Sequence, residues 1–266
     1  MMRHPPRKIS FVLASSDHGT LIVNRLDYHK PNPASGYGVG YDILEHSSFE
    51  ASEIDACMAI LNLKREQSGD GVVAIDCGAN IGTHTIDWAR RMTGWGSVIA
   101  IEAQERIFYA LAGNIAINNC LNVRAINAAV AEKDGQMEIP MPDYGSPASF
   151  GSLELKKRPG NEFIGQEVRY DGSSLATVRT LTLDSLNLAR VDLIKIDVEG
   201  MELEVLQGAS KTIQKSKPIL LAEAIKVDHL KLREVLEGSG YQVVTMKHNF
   251  LAAHKTDPAL QYISSR

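Results

Sequence analysis

The chain has 266 residues, a formal net charge of -4 at pH 7 and 44% hydrophobic residues. This length can bury a sizeable single core, and the balance of apolar and charged residues is typical of a soluble globular protein. A slightly negative chain has no global basic field, so we expect no nucleic-acid partner. No apolar run reaches the length of a membrane span or of a secretory leader, so we expect a cytoplasmic protein.

Residues 1 to about 48 are rich in proline and glycine, which predicts an irregular arm with one or two short strands, such as residues 21–26. Apolar residues at helical spacing, with acidic residues at the start, predict a helix over 49–62. The sequence therefore indicates an arm and lead-in helix over 1–70, followed by one larger domain over 71–266.

Strand-like and helix-like patterns alternate from Val72 onward, which predicts a doubly wound α/β sheet. The predicted strands are 72–76, 97–102, 123–127, 191–197, 218–224, 241–246 and about 249–253. The predicted helices are 83–92, 105–118, 201–215 and 228–238. Prolines and glycines break this rhythm over about 131–180, and short alternating runs such as 167–170 indicate an insertion that carries a β-hairpin. Loops beside a rigid sheet commonly supply substrate contacts.

The turn after the first strand of this domain is its most informative feature. Asp76 ends a buried strand, Gly78 and Gly82 allow close approach of the backbone to a ligand, and a helix follows. In the frame of the dinucleotide motif, Asn80 and Thr83 replace the second and third glycines. The charge of Asp76 would repel a pyrophosphate and attract a sulfonium or ammonium group. These features favour S-adenosylmethionine, whose carboxylate can bind backbone N–H groups of the turn.

Other residues at the strand ends are candidates for contacts with the same cofactor. Glu102 ends the next strand and is expected to accept hydrogen bonds from both ribose hydroxyls. Asn80 and Gln104 are expected to bind polar groups of the cofactor. Asn127 and Ala128 follow the third strand near the expected adenine site, although Asn127 can equally be a turn residue.

Four sequence blocks together carry a family resemblance: 73–85, 101–104, 179–186 and 192–202. In this order they resemble the FkbM family of methyltransferases, over roughly residues 49–246. The resemblance implies a Rossmann-like class I methyltransferase fold with seven strands and a terminal antiparallel hairpin. It also implies S-adenosylmethionine as the donor and usually a hydroxyl acceptor on a sugar or a polyketide-like metabolite. Ala103 departs from the family, which often has proline after the ribose-binding acid.

Methyl transfer to a hydroxyl requires a group that accepts the hydroxyl proton. The candidates are Asp197, Glu199 and His84, together with Lys195, which shares a strand face with Asp197. Lys195 and Asp197 can equally form a structural ion pair. Glu199 can instead cap the following helix, and His84 can instead bond to a neighbouring loop.

Asp197 and Glu223 end what should be neighbouring strands, so a divalent cation between them is an alternative. Two carboxylates are too few for a magnesium site, and we expect no metal. The favoured function is O-methylation of a small molecule or glycan, with a carbohydrate hydroxyl as the leading acceptor. A nucleotide-binding oxidoreductase or a catalytically silent binding module on the same fold is the alternative. The sequence leaves the oligomeric state undetermined.

Overall fold

The computed structural model of the protein describes residues 8–32 and 35–264, with side chains to residue 261. Its N-terminal segment is more regular than the composition predicts. The elements are β1 (Phe11–Ser16), β2 (Gly19–Asn24), β3 (His29–Asn32), β4 (Ser35–Tyr37), α1 (Val39–His46) and α2 (Ala51–Ser68). β1 pairs with β2 and β3 with β4, both in antiparallel fashion. The predicted strand near 21–26 is thus half of a hairpin, and the predicted helix over 49–62 continues to Ser68.

From Val72 onward the chain alternates strands and helices as predicted. The first half of this region contains β5 (Val72–Cys77), α3 (Thr83–Arg91), β6 (Gly96–Glu102), α4 (Glu105–Ile117) and β7 (Val123–Asn127). Between β7 and the next strand of the central sheet the chain forms β8 (Ala129–Val130), just before the predicted insertion, and then β9 (Gly135–Pro140) and β10 (Leu175–Leu181). The second half contains β11 (Leu193–Ile196), α5 (Glu202–Gly208), α6 (Ser210–Ser216), β12 (Ile219–Glu223), α7 (His229–Gly238), β13 (Tyr241–Met246), β14 (Asn249–His254) and α8 (Ala259–Ser264). The single helix predicted over 201–215 is therefore two short helices that meet at Ala209.

Seven strands form the central sheet in the order β13-β14-β12-β11-β5-β6-β7. The five strands from β12 to β7 are parallel, and β14 runs antiparallel to both of its neighbours. The chain builds outward from β5 to β7 and then returns to β11 on the other side of β5. Ligands bind at such a reversal of strand order, beyond the carboxyl ends of the strands. The predicted class I fold with its terminal antiparallel hairpin is confirmed.

The insertion forms its hairpin from its two ends and not from its middle. β9 and β10 are antiparallel, and β10 also pairs with β8 in parallel fashion. The expected strand-like run at 167–170 is wrong, because this run has no partner strand. Its Tyr170 hydroxyl instead donates a hydrogen bond to the backbone oxygen of Glu154, 2.9 Å away. The long segment 141–174 therefore connects β9 and β10 without forming part of their pairing.

Apolar side chains pack on both faces of the central sheet. Successive residues of β5 illustrate this, because Ala74 and Ile75 are both fully buried but belong to different apolar clusters. Burial on two faces fixes the register of a strand, since a shift by one residue would move each side chain to the other face. The core thereby fixes the point at which each strand presents a polar residue at its carboxyl end.

Candidate functional site

A cavity of about 230 Å³ lies at the carboxyl edge of the parallel strands. The sheet contributes the turn after β5, the ends of β6 and β12, and the segment after β11. Two further walls come from the N-terminal segment, over 37–50, and from the insertion, over 149–155. The cavity therefore joins three parts of the chain that are distant in sequence.

The turn after β5 brings the backbone close to the cavity. Gly78 has a φ of 79°, and a Cβ atom built on it would lie 1.7 Å from the backbone oxygen of Asp197. No side chain fits at this position. Asn80 also has a positive φ of 51°, and its Oδ1 accepts a hydrogen bond from the Ile81 N–H at 2.7 Å. Gly82, with a φ of 95°, is the residue from which α3 begins. These backbone conformations bring the turn after β5 into close contact with Asp197, the residue that follows β11.

Asp76 lines this cavity and has one side-chain oxygen without a hydrogen-bond partner among the described residues. The residue is 1% exposed, and its Oδ2 accepts a hydrogen bond from the Thr85 hydroxyl at 2.6 Å. Its Oδ1 is buried and has no hydrogen-bond partner among the described residues. An unpaired buried carboxylate oxygen is costly, so a donor or cation from a ligand fits here.

Glu102 is held in place by the backbone on both sides. Its Oε2 accepts the Asn80 N–H at 3.0 Å and its Oε1 accepts the Gln104 N–H at 2.8 Å. Burial raises the pKa of Glu102 to about 7, although these two hydrogen bonds act in the opposite direction. Each oxygen retains a lone pair, so the carboxylate can accept further hydrogen bonds from vicinal hydroxyls.

The side-chain amides of Gln104 and Asn127 bond to protein atoms. Gln104 accepts a hydrogen bond from the Tyr144 hydroxyl at 3.0 Å and donates one to the Phe150 backbone oxygen at 2.9 Å. Asn127 donates to the backbone oxygens of Glu102 and Ala103, at 2.8 and 3.2 Å. Gln104 and Ala128 line the cavity, whereas Asn127 lines a neighbouring groove. The predicted cofactor contacts of Gln104 and Asn127 stay predictions, with the turn role of Asn127 supported by its bonds.

Lys195 and Asp197 form the ion pair that the sequence left open. Nζ of Lys195 lies 2.7 Å from Oδ2 of Asp197, and Lys195 sits directly beside Asp76 in the sheet register. Burial lowers the pKa of Lys195, but the neighbouring carboxylates, Asp197 first, outweigh burial and hold it above its usual value. Both side chains also line the cavity, and that of Asp197 is 31% exposed. A structural ion pair and a site role are therefore compatible.

Glu199 faces the cavity and does not cap the next helix. Its Oε2 lies 2.6 Å from Nζ of Lys226, which also contacts Glu162 Oε2 at 2.7 Å and the Ser152 backbone oxygen at 2.8 Å. The N–H groups that precede α5 are taken by Glu202 instead. α5 has no side-chain capping hydrogen bond, so the structure gives no support to the capping alternative for Glu199. Lys226 links the loop after β11 to the insertion.

Burial and mutual repulsion raise the pKa of several carboxyl groups at this end of the cavity. For Glu199 the pKa rises to about 8, with burial first and the charge of Asp197 second. For Glu223 the pKa rises to about 9 for the same two reasons. For Glu202, which lies behind them, burial raises the pKa to about 7. The nearby lysines therefore do not offset the effects of burial and of neighbouring carboxylates on the pKa of Glu199 and Glu223.

His84 lies at the start of α3 and bonds to the N-terminal segment. Its Nε2 lies 3.1 Å from Glu53 Oε1 and 3.7 Å from Glu50 Oε2, and the ring packs edge-on against Trp88. His84 is 4% exposed and still lines the cavity. This arrangement supports the alternative in which His84 bonds to a neighbouring segment.

Sequence patterns did not indicate Asp27, which joins the N-terminal segment to the insertion. Its Oδ2 accepts the Gly40 N–H at 3.0 Å and its Oδ1 accepts the Phe150 N–H at 2.9 Å. Burial raises the pKa of Asp27 to about 6. Nearby, a Cβ atom on Gly151 would lie 2.9 Å from Nδ2 of Asn80, so the insertion also approaches the turn closely. Lys226 and Glu202 were missed as well; the position of Glu202 in the first turn of α5 was an available signal.

Within the described ranges, no helix is long and apolar enough to cross a membrane.

Comparisons with known proteins agree with this architecture. The family model described as the methyltransferase FkbM domain matches residues 76–243. The chain is similar to methyltransferase sdnD of Sordaria araneosa, 27% identical over 180 residues, and to the hexuronic acid methyltransferase AglP of Haloferax volcanii, 25% identical over 181 residues. These matches cover 59% and 66% of this chain, and 66% of each relative, so the chain spans just under two thirds of their length.

Solved structures give more distant similarities. The crystal structure of an FkbM methyltransferase from Methylobacillus flagellatus is 19% identical, with a TM-score of 0.49, and the match covers 70% of this chain and 43% of that one. The precorrin-6y C5,15-methyltransferase of Geobacter metallireducens is 17% identical, with a TM-score of 0.47 and coverage of 80% and 92%. Because the family model matches well over half of the sequence, this chain belongs to the FkbM family of methyltransferases.

Proposed function

We propose that the protein transfers a methyl group from S-adenosylmethionine to a hydroxyl of a carbohydrate or a related small metabolite. The observation that carries the proposal is the unpaired, buried oxygen of Asp76 beside the glycine turn, with Glu102 at the end of the next strand. A cation near Asp76 and a pair of vicinal hydroxyls near Glu102 would give both carboxylates the partners that they can still accept. S-adenosylmethionine carries both features in one molecule.

The residues present fit this cofactor along the edge of the sheet. We call Asp76, Gly78, Asn80, Gly82 and Glu102 the cofactor half of the cavity. The backbone of the turn would hold the methionine end, Glu102 the ribose, and the Ala128 segment the adenine. The bound cofactor supplies an activated methyl group on a sulfonium. Positioning two molecules against each other can lower much of the barrier for such a transfer.

The remaining cavity walls would hold the acceptor. We call Asp42, Glu50, Asp197, Glu199 and Glu223 the acceptor half, because they lie where the N-terminal segment and the strand-end loops meet. Asp197 would orient the hydroxyl and take its proton, and Lys195 fixes the Asp197 carboxylate. The N-terminal segment and the insertion line the same cavity and would limit the access of water to a bound acceptor.

Two observations support a hydroxylated acceptor. The acceptor half is lined by polar groups, and hydroxyl and carbonyl groups of the insertion, at Ser149 and Ser152, add hydrogen-bonding capacity for a polyol. One relative is named for methylation of a hexuronic acid, which is a carbohydrate. We extend only the carbohydrate class to this chain.

Calorimetric titration with S-adenosylmethionine, S-adenosylhomocysteine and NAD tests the cofactor. We expect both adenosyl compounds to bind and NAD not to bind. Asp76→Asn should weaken binding of the cationic cofactor, whereas Asp171→Asn, which removes an exposed carboxylate outside the cavity, should not. Binding of NAD alone would overturn the proposal.

The acceptor is tested by mass spectrometry of metabolites and glycans from cells with and without the protein. We expect a mass gain of one methylene group on a hydroxylated product, and fragmentation should place the methyl group on oxygen. A methyl group found on nitrogen or carbon would refute O-methylation while retaining methyl transfer.

A further inference from the structure

The acceptor half of the cavity has an excess of negative charge. Five carboxylates line it, whereas Lys195 is the single lysine that lines the cavity among the described residues. Lys226 adds a second positive charge from behind Glu199. Carboxylates are rarely buried together unless cations accompany them.

Three of these carboxylates converge on one point. One oxygen each from Asp197, Glu199 and Glu223 lies within 4.8 Å of the other two. Asp197 and Glu199 each use one oxygen for a lysine. Oε2 of Glu223 is buried and has no partner among the residues that the structure describes. The lysines therefore leave part of the cluster uncompensated.

Glu202 provides a second, independent observation. It is fully buried beneath the loop that carries Glu199, and its Oε1 accepts the N–H groups of Val198 and Gly200 at 3.3 and 3.1 Å. Its Oε2 has no partner within the described part of the chain. The two hydrogen bonds of its Oε1 place its carboxylate against the backbone on either side of Glu199. Two lysines accompany these four carboxyl groups, and one of them, Lys226, is shared with Glu162.

We infer that Asp197, Glu199 and Glu223 bind a divalent cation of the oxygen-preferring class, such as magnesium, manganese or calcium, with Glu202 supporting the site from behind. This inference builds on the proposed function, because the cation would lie in the acceptor half. Three carboxylate oxygens are suitable ligands for such ions, and the acceptor hydroxyl can occupy a further position. A bound cation would then lower the pKa of that hydroxyl.

A second group of potential ligands, Glu50, Glu53 and His84, lies nearby, but Glu53 and His84 are already hydrogen-bonded. His84 bonds to Glu53, and the other oxygen of Glu53 accepts a hydrogen bond from Asn249 at 2.5 Å. The ligand atoms of Glu53 and His84 are therefore already used, so this group is the weaker candidate for a metal site. This group serves as the matched control.

The test measures Mn²⁺ binding to the full chain by calorimetry and by electron paramagnetic resonance, without cofactor or acceptor. We expect one Mn²⁺ per chain, displaced by Mg²⁺ or Ca²⁺. Glu223→Gln and Glu199→Gln should each weaken binding at least tenfold, whereas Glu53→Gln should not. Circular dichroism establishes that each variant is folded. If one of the two cluster variants misfolds, the other still tests the site.

Three outcomes would overturn the metal site. They are no binding of any of the three ions, equal binding in the cluster variants, or loss of binding only in Glu53→Gln. Binding of a methyl hexosaminide in place of Mn²⁺, abolished by Glu223→Gln, would also overturn it and reassign the cluster to an ammonium group of the acceptor. Because this assay contains no S-adenosylmethionine, its result is separate from the success or failure of the proposed methyl transfer.

Discussion

The two halves of the cavity are built in different ways. The cofactor half comes from one continuous stretch, 76–104, and its key hydrogen bond joins Asn80 to Glu102, only 22 residues apart. The acceptor half depends on contacts across the whole chain, such as Asp27 with Phe150, 123 residues apart. A local motif thus forms the turn at which we propose that the donor binds, whereas contacts between distant segments form the walls of the acceptor half.

The largest expected effect is on the tightest point of the cofactor half. Gly78→Ala would place a Cβ atom 1.7 Å from the backbone oxygen of Asp197, and neither backbone can move without disturbing β5 or β11. We expect the free energy of unfolding to fall by about 3 kcal/mol or more, with loss of most cofactor binding. Chemical denaturation and calorimetry measure the two effects.

Gly94→Ala is the matched control for this substitution. Gly94 has a similar φ of 85°, but a Cβ atom there would meet no atom within 4 Å. Only backbone strain remains, worth about 1 to 2 kcal/mol. Equal destabilisation by the two substitutions would show that steric contact with Asp197 is not what requires glycine at position 78.

The next effect concerns turnover in the acceptor half. If Asp197 takes the proton of the acceptor hydroxyl, Asp197→Asn should lower kcat by roughly 10²- to 10⁴-fold while the affinity for the cofactor stays close to that of the natural chain. Asn keeps the shape of the side chain but has no basic oxygen. Steady-state kinetics with the acceptor and a cofactor titration separate the two quantities.

The ion-pair account predicts a different result for the same residue. If Asp197 mainly neutralises Lys195, Asp197→Asn should destabilise the fold, because a buried lysine loses its partner. Lys195→Met combined with Asp197→Asn should then restore part of the stability. A stable Asp197→Asn variant with near-normal turnover would rule out the catalytic role.

A pH effect is expected at the junction of the N-terminal segment with the insertion. The pKa of Asp27 rises from 3.8 to about 6 on folding, so folding favours its protonated form. Its contribution to the free energy of unfolding is complete below about pH 4 and is lost as the pH rises through 6. This change amounts to about 3 kcal/mol.

Thermal unfolding at pH 4 to 7 of the natural chain and of Asp27→Ala measures this effect. The stability difference between the two proteins should shrink as the pH rises, because the natural chain loses the contribution of Asp27. Asp171→Ala, in which an exposed side chain is removed, controls for the loss of one negative charge. A stability difference that grows with pH would contradict the raised pKa of Asp27.

The fold could be predicted, and the cofactor half proposed, because their signals are local. Buried strands, a glycine turn and an acid at each strand end lie within a few residues of one another, and they predict a doubly wound α/β sheet. The seven strands with a terminal antiparallel hairpin are implied by the family resemblance. Lys226, Asp27 and Glu202 could not be placed, because their partners are set by how the N-terminal segment and the insertion pack. The strand-like run at 167–170 misled for the same reason: alternation without a partner strand forms no sheet.

The smallest expected effect tests the cofactor half by itself. If Glu102 accepts hydrogen bonds from two ribose hydroxyls, Glu102→Ala should weaken cofactor binding by about 1.5 to 3 kcal/mol. The structure adds a second consequence, because the N–H groups of Asn80 and Gln104 lose their partner and the unfolding temperature should fall. Affinity should therefore be measured well below that temperature, with Glu132→Ala as an exposed control. An unchanged dissociation constant in folded Glu102→Ala would show that Glu102 does not bind the ribose and only stabilises the turn.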